Sequence, residues 1–162
     1  MSVEPAHWID EACRVLRAGG VVCVPTETYY GLAVDPFAPS ALERLWSIKA
    51  RDPDKPVALI AGDLAAAKAL WHRVSPRLER LARLYWPGPL TLVAPASERV
   101  ARALCNRDGE VGVRVSSHPA ARALAHTFGP ITATSANRGG EPPARTLAQA
   151  LVRGSDVDLF LD

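Results

Sequence analysis

Apolar residues recur at the spacing of one helix face between Pro5 and Ala18, at Trp8, Ile9, Ala12, Val15 and Leu16, and Gly19-Gly20 follows as a helix stop. The period then changes. Val21–Val24 is a short apolar run closed by Pro25, and Leu32-Ala33-Val34 after Gly31 has the same character, so both predict strands. Ser40 predicts the N-cap of a helix through Leu42, Leu45, Trp46 and Ile48 that delivers Lys49 and Arg51 at its end. Val57–Ile60 reads as a strand, Asp63 caps an alanine-rich helix to Leu70, and Ser75-Pro76 opens a helix to Tyr85 that Pro87-Gly88-Pro89 ends. Further strands are predicted at Leu90–Ala94, Val111–Val115 and Ile131–Ala133, with helices from His118-Pro119 to Phe128 and over Arg145–Arg153. Such alternation occurs when strands share a sheet covered by helices, which sets the class as α/β. No internal repeat, low-complexity segment or linker interrupts the pattern, so one domain over residues 1–162 is expected.

Composition narrows this picture. With 48% hydrophobic and 22% charged residues the chain is of ordinary globular type, and no apolar run approaches the length of a membrane span. Met1 to Pro5 lacks a basic segment followed by an apolar one, so neither a secretory signal nor a membrane association is expected, and a cytoplasmic location is. Cys13, Cys23 and Cys105 are odd in number and have no Cys-x-x-Cys spacing; they read as reduced, buried thiols and not as metal ligands. A net charge of +2 does not by itself announce a nucleic-acid binder. Of 19 basic residues only Lys49, Lys55 and Lys68 are lysines, and the first two fall close together around Arg51. That cluster reads either as a solvated loop or as a place where a point charge and a planar fork are both wanted.

The chemistry-bearing residues gather in a few segments. Thr134-Ser135-Ala136-Asn137-Arg138-Gly139-Gly140-Glu141-Pro142-Pro143 follows a predicted strand; it suits a phosphate or carboxylate through its N–H groups and hydroxyls, and it also suits an ordinary turn. Val24-Pro25-Thr26-Glu27-Thr28-Tyr29-Tyr30-Gly31 follows the first strand, with Glu27 between two threonines either a candidate base or a residue whose backbone neighbours matter more. His7, His72, His118 and His126 have no spacing for a metal or a Ser-His-Asp arrangement and read as structural. Trp8, Trp46 and Trp71 read as core, while Trp86 either belongs to a structural turn or walls a cleft.

Together with Lys49-Ala50-Arg51-Asp52-Pro53-Asp54-Lys55-Pro56, Tyr85-Trp86-Pro87-Gly88-Pro89-Leu90-Thr91 and Val111-Gly112-Val113-Arg114-Val115, these segments stand in the order and at the intervals of one family. Across residues 20–146 the chain closely resembles the YrdC/TsaC family, the threonylcarbamoyladenylate synthases. The resemblance implies a single-domain, twisted, open mixed sheet with flanking helices and a positively lined concave face. It implies synthesis of threonylcarbamoyl-AMP from L-threonine, bicarbonate or CO2, and ATP, with release of pyrophosphate, for the t6A modification of tRNA by downstream transferase proteins. Mg2+ would accompany ATP as its counter-ion, and no tightly bound cofactor or dedicated metal site is implied. Matched position by position, Lys49 and Arg51 look like the catalytic pair on the nucleotide phosphates, with Lys55, Ser135 and Asn137 also on the nucleotide. Thr26, Thr28, Ala133 and Arg114 look like the L-threonine site, where the arginine fork would pair with the substrate carboxylate.

The resemblance has departures. Glu110 stands where relatives usually carry threonine, which predicts a negative charge near a nucleotide contact, and the turn after Asn137 reads Gly139-Gly140 in place of Ser-Gly. Relatives continue past the Asp-Leu-Phe-Leu-Asp segment that ends at Asp162, so a sheet short of a final strand and a cleft short of one wall are expected. Two other readings stay open: a non-catalytic module holding tRNA or double-stranded RNA on its basic face, and a carbamoyl-transfer module of the kind embedded in longer proteins.

Overall fold

Gly19 sits at φ +77°, and around it the first helix closes in a Schellman arrangement: the Gly19 N–H donates to Leu16 O at 3.0 Å and the Gly20 N–H to Val15 O at 2.9 Å. The left-handed residue turns the chain straight into the first strand. A computed structural model describes residues 5–49, 55–137, 140–152 and 156–162. Within them lie helices α1 (Pro5–Arg17), α2 (Pro39–Lys49), α3 (Leu64–Lys68), α4 (Pro76–Tyr85), α5 (Pro119–Phe128) and α6 (Leu147–Leu151). The strands are β1 (Val22–Val24), β2 (Gly31–Ala33), β3 (Ala58–Ile60), β4 (Leu92–Pro95), β5 (Glu110–Arg114), β6 (Ile131–Ser135) and β7 (Leu159–Phe160).

The seven strands form one mixed sheet in the order β4-β5-β3-β6-β2-β1-β7. β5 and β3 run parallel, as do β1 and β7, and the remaining neighbours are antiparallel. Side chains alternate across the strands and so feed two cores. Val22, Val24, Ile60 and Ile131 pack with Ala12, Cys13 and Leu16 of α1 and Ala121, Leu124 and Ala125 of α5. Cys23, Leu32, Leu59, Val111 and Val113 pack on the opposite side with Ala41, Leu42 and Leu45 of α2, Ala67 of α3 and Ala82 of α4. Both faces are thus covered by helices, as expected from the sequence.

Caps set the helix starts. Asp63, Ser75, His118 and Thr146 each accept a backbone N–H with the side chain, the first three as the sequence predicts. Ser40 does not cap α2: the helix opens with Pro39, whose missing N–H costs nothing at that position. The sequence also places no strand after Ile131–Ala133, yet Leu159–Phe160 pairs with Val22–Cys23 and gives β1 an outer neighbour. The Leu161 N–H donates to Cys23 O at 2.9 Å, and Asp158 receives the Val21 N–H at 2.7 Å and both arms of Arg44. Arg153, the expected end of the last helix, lies outside the described residues.

Candidate active site

Thr26 organises the loop between β1 and β2. Its hydroxyl donates to Tyr29 O at 2.6 Å and accepts the N–H groups of Thr28 and Tyr29, each at 3.2 Å, so one side chain closes the turn. The Tyr30 N–H donates to Ala144 O and Tyr30 O accepts the Ala136 N–H, which ties this turn to both sides of the segment after β6. The Tyr30 hydroxyl donates to Asp162 Oδ1 at 2.6 Å; burial, reinforced by that carboxylate, pushes its pKa up to about 12, so it stays a donor.

Arg114 ends β5 and reaches the same turn. Its Nη1 donates to Thr28 Oγ1 at 3.3 Å and lies 3.1 Å from Glu27 Oε1, with both charged side chains nearly buried. The other Glu27 oxygen accepts from the Ser116 hydroxyl and from the His118 N–H. Burial pushes the Glu27 carboxyl up, but the Ser116 hydrogen bond, Arg114 and backbone donors outweigh it and hold the group below the ordinary carboxylate range. Its oxygens are engaged by Ser116, the His118 N–H and Arg114, so within the site Glu27 serves as a partner to these groups.

Across from this turn, Lys49 points inward from the end of α2. It is only 4% exposed, and its ammonium donates to Ser135 O, Asn137 O and Asn137 Oδ1 at 2.5–2.7 Å. The Ser135 hydroxyl donates to Asn137 Oδ1, and Asn137 Nδ2 donates to Glu141 O. The Ser-x-Asn segment is therefore shaped by a buried cation, and its polar atoms are turned toward one another.

Between these parts lies a cleft of about 210 Å³ lined by Thr26, Thr28, Tyr30, Arg114, Ala133 and Ser135, among others. That is below the roughly 300–1,000 Å³ of pockets for drug-sized ligands and suits a molecule of amino-acid size. A larger cleft of about 850 Å³ between α4 and α5 contains none of the site residues expected from the sequence. The smaller one is the better candidate, because a guanidinium and several hydroxyls converge there.

Residues 14–162 match the Sua5/YciO/YrdC family, described as Telomere recombination. The chain belongs to this family. A threonylcarbamoyl-AMP synthase of Coxiella burnetii (strain RSA 493 / Nine Mile phase I) is 38% identical over 158 residues, which are 95% of this chain and 84% of the relative. P. abyssi Sua5 complexed with L-threonine superposes with a TM-score of 0.90 at 32% identity, over 95% of this chain and 46% of that one. E. coli YciO superposes with a TM-score of 0.85 at 27% identity, over 94% of this chain and 76% of that one. The chain thus spans about half the length of the Sua5 chain it matches.

In this member of the Sua5/YciO/YrdC family, Thr26, Thr28, Arg114, Ala133 and Ser135 come together in one cleft, with Lys49 and Asn137 joined to it through Ser135. Lys55 is exposed ahead of β3 and does not line the cleft, and Arg51 and Gly139 lie outside the described residues. Tyr29, Tyr30, Thr91 and Thr134 also line it and were not singled out from sequence; the only signal for them was membership of the motifs. Glu110 does not put its charge in the cleft. At the start of β5 its Oε2 accepts from Asn106 Nδ2 at 2.9 Å, closing a hairpin loop against the edge strand. Trp86 does both things the sequence left open: its indole N–H donates to Leu90 O at 2.7 Å and its ring stacks on Trp71, and it also walls the larger cleft between α4 and α5. Among the described residues no group of three or more His, Cys, Asp or Glu could hold a metal ion.

Proposed function

We propose that this chain is a threonylcarbamoyl-AMP synthase, an enzyme that joins L-threonine, bicarbonate or CO2, and ATP into threonylcarbamoyl-AMP and releases pyrophosphate, supplying t6A synthesis on tRNA. The observation that carries the reading is the convergence of Arg114, Thr28 and the end of β6 on a cleft of amino-acid size, in a chain 38% identical to a threonylcarbamoyl-AMP synthase over most of its length. The likeness to a Sua5 structure that holds L-threonine supports the same ligand here.

In this reading Arg114 takes the threonine carboxylate, with Thr28 beside it, while Thr26 shapes the loop and Ala133 closes the floor. A cleft of this size leaves the nucleotide outside it, over Ser135 and Asn137, with Lys49 holding the loop beneath and Arg51 and Lys55 assigned to its phosphates. The threonine amine, once carboxylated, is a carbamate. Its oxygen forms a bond to the α-phosphorus of ATP as the bond from that phosphorus to the bridging oxygen of pyrophosphate breaks. An anion attacking a polyanion meets charge repulsion, so cations and N–H donors placed around the phosphates supply much of the catalysis. With no acidic cage among the described residues, Mg2+ would arrive bound to ATP and add positive charge at the phosphates.

The test is pyrophosphate release measured with ATP, L-threonine and bicarbonate together and with each left out in turn. Release that requires all three is expected. Release that is indifferent to threonine, or none under any condition, contradicts the proposal.

A further inference from the structure

The two oxygens of Glu27 face different partners. Oε2 is fixed to the turn between β5 and α5, where it accepts from the Ser116 hydroxyl and, at 3.4 Å, from the His118 N–H. That turn is itself rigid: Ser116 is fully buried, its hydroxyl also receives the His118 N–H at 3.1 Å, and His118 Nδ1 caps α5 by accepting the Ala120 N–H. Oε1 lies 3.1 Å from Arg114 Nη1, an ion pair made by charge and not by an aligned hydrogen bond.

An arginine side chain is long and rotamer-rich, and alone in a cleft its guanidinium would sample many orientations. A carboxylate anchored beside one Nη draws the guanidinium to that side of the cleft and narrows that freedom. It also offsets the charge of a side chain only 11% exposed, which would otherwise be costly to keep out of water. The guanidinium carries five N–H donors, and an ion pair at one Nη leaves room for a second carboxylate on the same group. A side chain held in this way is pre-organised for an anion before the anion arrives.

We propose that Glu27 is a positioning residue which, anchored on Ser116 and His118, holds the Arg114 guanidinium in the cleft by charge so that the cleft selects ligands bearing a free α-carboxylate. The inference rests on the reading of Arg114 as the carboxylate contact, and the test separates the two.

L-Threonine and L-threoninamide, which keeps the amine and hydroxyl but lacks the carboxylate charge, are titrated by calorimetry into the wild type, Glu27→Gln, Glu27→Asp and Arg114→Lys. The wild type should prefer threonine. Glu27→Gln keeps size and an acceptor for Ser116 but loses the charge, and should weaken threonine binding by about tenfold, the scale of one charge-assisted hydrogen bond, while leaving threoninamide unchanged. Glu27→Asp keeps the charge but is too short to span both partners, and should act in the same direction; it carries the test if the glutamine variant fails to fold. If the Glu27 variants lose both ligands by the same factor, Glu27 is structural support and the inference falls. If Arg114→Lys loses the preference while both Glu27 variants keep it, the positioning role alone falls. If Arg114→Lys keeps the wild-type preference, the assignment of the carboxylate contact is wrong.

Discussion

Lys49 holds an ammonium where water is nearly excluded, and the acceptors around it belong to the Ser135–Asn137 segment. A buried charge is tolerated only with such partners, so this side chain and that loop define each other's position. Lys49→Met should loosen the loop, seen as faster hydrogen exchange at the amides of residues 135–137, and weaken ATP binding by about 1.5–3 kcal/mol. Unchanged exchange and unchanged ATP affinity would remove Lys49 from the site. Arg51→Ala should weaken ATP binding by about the same 1.5–3 kcal/mol, read by calorimetry, since a direct phosphate contact is also one charge-assisted bond. The Lys-x-Arg spacing marks both positions in the sequence. It does not tell whether a lysine at a helix end reaches outward to a ligand or inward to carbonyls, because rotamer and burial are decided by a loop some 86 residues away. Cys13 and Cys23 are buried as their apolar neighbours imply, while Cys105 is only half-buried; burial pushes Cys23 up to about 12 and raises Cys13 and Cys105. Labelling by a thiol reagent at neutral pH should therefore be slow for Cys13 and Cys23 and speed up with added urea, since it is the thiolate that reacts. Fast labelling of either in native protein would contradict this burial.

At the scale of elements, Asp158 joins three of them. It receives the Val21 N–H next to β1 and both arms of Arg44 from α2, and it sits at the entry to β7. Arg44 and the Val21 N–H hold its carboxyl below the ordinary aspartate range against the opposing effect of burial. A carboxyl whose pKa is lower in the folded state stabilises the fold above its unfolded pKa, and that stabilisation is lost as pH falls through the folded value. Asp158→Asn should therefore lower the urea midpoint at neutral pH and flatten its decline in the acid range. A wild-type decline of the same size in the variant would assign the acid sensitivity to other carboxylates. Glu27, also held low, acts with the same sign. Strand β7 escaped the sequence reading because two residues carry no period and because its partners, Val22 and Cys23, stand more than 100 positions away. The longer helices and the inner strands were legible, since their apolar positions face a core that every residue on the element must satisfy. Start signals were legible where a side chain can reach its own helix, as at Asp63 and Ser75, and misleading at Ser40, where Pro39 takes the first position.

Over the whole molecule, one sheet with a core on either face carries the cleft, which is lined by the turn between β1 and β2 and by residues of β3, β5 and β6. Arg114 and Ser135 were legible as motif residues; they end β5 and β6, strands that β3 separates in the sheet, and both line the cleft. The bonding around the cleft was not legible: Thr26 spends its hydroxyl on its own turn, and Glu27 serves Arg114 and the β5–α5 turn. The central claim is that this cleft makes a mixed anhydride of carboxylated threonine and AMP. Protein incubated with ATP, L-threonine and 13C-labelled bicarbonate, followed by mass spectrometry of the nucleotide products, tests it most directly. The account predicts threonylcarbamoyl-AMP heavier by the label, in an amount that falls sharply in Arg114→Lys; ATP left intact, or AMP formed without the labelled carbon, would contradict it.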